Sequence, residues 1–139
     1  MDFDSGFPHF DTQNGERGDA YLREAPAQPA RVALIGTYPP RKCGIATFTC
    51  DIVEQAARHT PELSFDVYAL DDGKASRAYP EGVGQLMADD PAHYRDTADA
   101  INASGADAVW LQHEYGIFGG PDGELVCDFV DRLAPPLVL

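Results

Sequence analysis

Two short stretches of this chain carry the residue types that chemistry needs. The first is Pro40-Arg41-Lys42-Cys43-Gly44, running on into Ile45-Ala46-Thr47, where two cations precede a glycine and an apolar-periodic segment. A helix starting there offers free N–H groups and the positive end of its dipole to an anion, and Arg41 and Lys42 stand where they would add charge. The second is His113-Glu114-Tyr115-Gly116, ahead of Ile117-Phe118-Gly119-Gly120-Pro121. A histidine beside a carboxylate can act as a base, a hydrogen-bond donor or an electrostatic partner of phosphate, according to its protonation. Each stretch also has a plain reading. Most strand-turn-helix connectors bind nothing, and a histidine that ends a strand is often a polar cap. Gly116, Gly119 and Gly120 suit a close-approaching ligand and a simple loop equally.

Other chemistries are poorly represented. The chain has no G-x-G-x-x-G and no G-x-x-x-x-G-K-[ST], so neither dinucleotide nor P-loop binding is signalled. Cys43, Cys50 and Cys127 form no C-x-x-C pair, and His9, His59, His93 and His113 are scattered without ligand spacing, so no metal site is expected. An odd cysteine count fits a reduced compartment. The net charge of −13 over 139 residues argues against sequence-independent nucleic-acid binding and against docking on anionic lipid. No apolar run approaches the roughly 18 residues of a membrane span, and the acidic MDFDSGFPHF start lacks the pattern of a signal peptide. The expected location is the cytoplasm, or the periphery of the inner membrane face.

The elements that must position the two stretches can be read from periodicity. Residues 1–30 carry six acids against two arginines, with every period interrupted, and read as a disordered acidic leader. Val32-Ala33-Leu34-Ile35 predicts a buried strand over 31–37, and Pro39-Pro40 ends it. Ile45, Phe48, Ile52, Val53, Ala56 and Ala57 then form one helical stripe, giving a helix over 45–59. A strand over 64–70 follows, closed by Asp71-Asp72-Gly73, which reads as turn chemistry rather than a hydroxyl-binding pair. A short strand near 83–87 and a helix over 91–103, capped by Asp90 with Pro91 at its first position, come next. A buried strand over 107–112 delivers His113 at its C-terminal end, with Trp110 read as core. Asp122 is placed to cap a last helix whose stripe is Leu125, Val126, Phe129, Val130 and Leu133, before an apolar strand begins at Leu137. Alternating strands and helices predict an α/β, Rossmann-like three-layer domain with a parallel sheet. Ligands of such sheets sit outside the C-terminal strand ends, where both stretches fall. A strand of three residues at the end of the chain is short for a core strand, so the sequence reads as the first part of something longer.

RVALIGTYPPRKCGIATFTCDIV together with VWLQHEYGIFGGPDGELVCDFVDRL resembles the N-terminal domain of the retaining GT-B glycosyltransferases of family 4, the group 1 class. The resemblance covers about residues 31–139. It implies the acceptor-side half of a two-domain, metal-independent enzyme that moves a sugar from a nucleotide-sugar donor to a glycan or lipid-linked acceptor with retention, in cell-surface or exported glycan synthesis. It implies that the loop from Pro40 to Thr47, with Arg41, Lys42 and Gly44, lies beside acceptor and donor diphosphate. It also implies that His113 is the catalytic residue nearest the transferred sugar, with Glu114, Tyr115 and Gly116 lining the same region. Many relatives have two adjacent glycines where this chain has Cys43-Gly44. The family's donor-gripping residues belong to a C-terminal domain with no counterpart in this sequence, so these 139 residues alone are expected to be inactive, with no cofactor beyond the donor substrate. The competing expectations are a stand-alone, non-catalytic α/β binding module and, more weakly, a flavodoxin-like regulatory domain.

Overall fold

Uninterrupted apolar runs become interior strands here. A computed structural model describes residues 29–139. The strands are β1 (Ala30–Gly36), β2 (Leu63–Asp71), β3 (Gly84–Met87), β4 (Ala108–Leu111) and β5 (Leu137–Val138). They form one parallel sheet in the order β3-β2-β1-β4-β5. β1 lies in the middle, and its Ala33, Leu34 and Ile35 are fully buried, because residues pointing to both faces are covered. The leader read for residues 1–30 lies outside the described residues, except that Ala30 already belongs to β1.

Helix α1 (Gly44–His59) lies on one face, where its Cys50 and Val53 pack against Val67 and Ala69 of β2. Helices α2 (Pro91–Ser104) and α3 (Leu125–Arg132) lie on the other. There Tyr94, Ala98, Ile101 and Phe129 meet Ala33, Ile35, Leu70, Leu86, Val109 and Leu111. The two faces follow from topology. The chain steps from β1 to β2 in one direction and reaches β4 on the other side of β1. Crossovers of one hand running in opposite directions must use opposite faces.

The boundaries of α2 are set locally. Asp90 is extended and its side chain accepts from the Ala92 N–H at 2.9 Å, Pro91 takes the first position, and Gly105 closes the helix at φ 77°. Asp90→Ala should therefore cost about 1 kcal/mol, read as a lower urea midpoint at unchanged slope; an unchanged midpoint would remove the cap from the account. Arg132 fastens α3 to α2 through a two-point pair with Asp99 at 2.6 and 2.8 Å, beside a Tyr94–Phe129 edge contact at 6.3 Å.

Three sequence expectations are corrected. The buried face of α1 holds Ala46 and Thr49, whereas Phe48 is 57% exposed. A polar residue can face the sheet there because its hydroxyl bonds the Ile45 carbonyl at 2.8 Å. Asp122 does not cap the last helix: it sits at φ 53° within a 3-10 turn, Pro121–Gly123, and Glu124 precedes α3 without a side-chain cap. Trp110 is only half-buried, lying against Phe65 at 6.2 Å on the α1 side of the sheet.

Candidate functional site

The strand order reverses between β1 and β4, and at such a point the chain leaves two neighbouring strands toward opposite faces, opening a crevice at their C-terminal ends. The Gln112 N–H donates to the Ile35 carbonyl at 2.8 Å, so the loop after β4 starts beside the loop after β1. Both stretches singled out in the sequence therefore begin at one place.

The first wall is residues 37–47. Thr37 is fully buried with its hydroxyl 3.1 Å from the Cys43 thiol. Cys43 is extended (φ −153°, ψ 162°) and precedes α1 without a side-chain cap, while the Thr47 N–H is the first to close onto the Cys43 carbonyl, at 3.2 Å. The N–H groups of Gly44, Ile45 and Ala46 thus have no intrahelical acceptor. Gly44 is exposed, with open space where a Cβ would stand. Lys42 and Thr47 are exposed, and the Thr47 hydroxyl stands 3.4 Å from the Cys43 carbonyl. Arg41 is already engaged: its Nη1 is 3.6 Å from Asp72 Oδ2, and that nitrogen is buried without a hydrogen-bond partner.

The second wall is residues 113–120. The exposed His113 ring stacks on Phe118, with centroids 5.6 Å apart and planes 28° from parallel. His113, Glu114, Tyr115, Gly116 and Phe118 line a cavity of about 170 Å³ together with residues at the start of α3, Val126 and Cys127 among them, and with none from the first wall. Tyr115 projects outward at 86% exposure, and Gly116 takes φ 82°. Behind them Gly119 presses on the loop between β3 and α2, and its N–H donates to the Tyr94 hydroxyl at 3.3 Å.

A polar cluster, unread from the sequence, closes the crevice on the β2 side. Asp71 belongs to β2 and is buried. Its carboxylate accepts from Arg77 Nη1 at 2.5 Å, Gln85 Nε2 at 2.8 Å and the Gly73 N–H at 2.9 Å. Burial alone would raise its pKa, yet these three donors hold it below the usual carboxylate range. Asp72 is pushed down to about 2, chiefly by Arg77, which donates to it at 2.8 Å, and then by the Lys74 N–H, with Arg41 assisting. The turn reading of Asp71-Asp72-Gly73 holds for the Gly73 N–H contact, but the acids also anchor two arginines. Nearby Tyr38 is pushed up to about 12 by burial and by its neighbours Cys50 and Glu54.

The end of β1 thus leads to backbone donors, and the end of β4 to a histidine, a carboxylate and an exposed aromatic ring. The strand order brings Gly44 and Thr47 to the same strand ends as His113, Glu114, Tyr115 and Gly116, while Arg41 is drawn aside toward Asp72. Among the described residues no group of three His, Cys, Asp or Glu could hold a metal ion, and no helix is long and apolar enough to cross a membrane. No protein-family model, curated protein or solved structure matches the chain. Sequence reading missed Gln112, Gly36 and the Asp71–Arg77 pair. Only the last had a local signal, an arginine five and six residues after paired acids.

Proposed function

We propose that this domain is the acceptor-side part of a retaining, nucleotide-sugar-dependent glycosyltransferase, with its reacting groups in the crevice between β1 and β4. The observation that supports this reading is the adjacency of β1 and β4, whose neighbouring C-terminal ends release the loop that leads to the open N-terminal turn of α1 and the loop that carries His113. Uncapped N–H groups suit a diphosphate. An imidazole on an aromatic ring, with Glu114 next to it in sequence, suits a sugar whose charge grows during transfer. The donor's nucleotide and sugar are held by a second domain, and the acceptor is a glycan or lipid-linked sugar. The reaction takes place in the cytoplasm or at the inner membrane face and draws on no cofactor.

His113 stabilises or positions the transferred sugar. His113→Ala in the protein as its own cells make it should lower turnover by about 100-fold or more, the scale of a positioned acid–base or electrostatic group, with melting temperature nearly unchanged since the ring is exposed. Turnover within a few-fold of wild type would remove His113 from the mechanism.

Gly44 separates binding from stability. A Cβ meets nothing there, and Gly44 opens α1 without a positive φ, so alanine is worth roughly 0.4–1 kcal/mol through the lost freedom of the unfolded chain. Gly44→Ala should hold or raise the melting temperature while weakening nucleoside diphosphate binding, because the methyl occupies the approach of the phosphates. Equal binding would place the anion elsewhere. A second reading, a non-catalytic binding module, draws on the engagement of Arg41 by Asp72, which leaves Lys42 as the open cation of that loop.

A further inference from the structure

Gln112 follows β4 and directly precedes His113, yet it is buried at 9% exposure, whereas His113 is exposed. Its side chain reaches α1, where Oε1 stands 2.5 Å from Thr49 Oγ1. Gly36, which ends β1, makes the room: a Cβ there would stand 3.2 Å from both Gln112 Cβ and Cδ and overlap Oε1. Thr49 is also 2.8 Å from the Ile45 carbonyl, one turn back toward the helix start. The Thr49 hydroxyl has one proton for two acceptors, while Gln112 Nε2 is buried without a partner. Turning the amide end for end would let the NH₂ donate to Thr49 and Thr49 donate to Ile45, so that the hydroxyl proton serves one acceptor. In either orientation one contact ties α1, one turn past the first wall, to the residue from which the second wall starts.

We propose that Gln112 is a positioning residue: through Thr49 it holds the first turns of α1 and the His113 peptide at one spacing, so that both walls act on one ligand. Its effect on transfer rests on the glycosyltransferase reading, whereas the linkage itself does not. Gln112→Met and Thr49→Val remove the bond at nearly constant volume, and Thr49→Ser keeps the hydroxyl. Thr49→Val should shift the NMR signals of His113, on the opposite wall, and Gln112→Met should shift the amides of residues 44–47. Thr49→Ser should return both to their wild-type positions. In unfolding equilibria the double variant should fall short of the product of the two single effects by about fivefold, the weight of one net hydrogen bond. Multiplicative effects, with signals disturbed only on the mutated wall, would overturn the linkage. Nucleotide-sugar titration of the same variants in the protein as its own cells make it separates the two ideas: coupling without binding retires the transferase reading alone, and binding without coupling retires the linkage alone.

Discussion

Gly119→Ala should lower the melting temperature by at least about 12 °C. A Cβ at this position would overlap the carbonyl oxygen of Ala88, stand 2.6 Å from its carbonyl carbon and 2.6 Å from Asp89 Oδ1. The obstacle is mostly backbone, so no rotamer change relieves it. Either the loop after β4 must lift, or residues 88–89 must, and the latter lead into the Asp90 cap and the fully buried Tyr94. Overpacking costs typically about 1–3 kcal/mol, and a clash with backbone falls at the upper end; each kcal/mol is worth about 4 °C or more in a domain near 100 residues. The residue is not at positive φ, so alanine carries no backbone penalty and the loss isolates the contact. Calorimetry on the variant checks it; a melting temperature within about 3 °C of wild type would mean the loop moves freely. Because the same loop carries His113, a variant that survives should also show displaced His113 signals.

Asp71→Ala should cost about 3 kcal/mol, since it leaves the Gln85 amide and the Gly73 N–H without their acceptor and takes one of two carboxylates from Arg77. Arg77 keeps Asp72 at 2.8 Å, so the loss belongs mainly to the donors left unpaired. Asp71→Asn, which keeps one acceptor oxygen, should therefore recover part of it. Failure of Asp71→Asn to recover any stability would assign the loss to the Arg77 pair instead. The same cluster sets an acid limb. Both carboxylates have folded pKa values below their unfolded values, so their contribution is complete above about pH 4. It is lost as pH falls toward the Asp72 value of about 2. Chemical unfolding between pH 5 and pH 2 should show this decline in the wild type. The decline should be shallower in Asp72→Asn; equal slopes would contradict the shift.

The parallel sheet was legible because its signals are local and strong. Val32 to Ile35 reads as a two-faced buried strand, and Asp90-Pro91 with Gly105 brackets α2 closely. The neighbouring of β1 and β4, on which the site depends, was not legible in the same way, since the hand of a crossover sets its face and not the strand order. What stayed hidden depends on partners distant in sequence. Thr49 faces inward in place of Phe48 because Gln112, 63 residues on, bonds it. Gly36 reads as a strand end until that glutamine is placed over it. Arg41 looked like a phosphate ligand, and its capture by Asp72 depends on how the loop after β2 folds back. Asp122 has the right type and spacing for a cap, yet it sits inside the Pro121–Gly123 turn at φ 53°, a backbone conformation from which a cap does not form. Periodicity reports which face a helix turns to the core; it does not report a polar bond that overrides that face.

The central claim is that one crevice, between the ends of β1 and β4, receives the ligand from both walls. Backbone amide spectra recorded while a nucleoside diphosphate is titrated to millimolar concentration test it most directly. Shifts concentrated at residues 37–47 and 112–116, absent for the nucleoside alone and reduced in Gly44→Ala, are the expected result. Amides that stay still in both segments, or shifts gathered around Arg95 and Arg132 on the far side of α2 and α3, would contradict it.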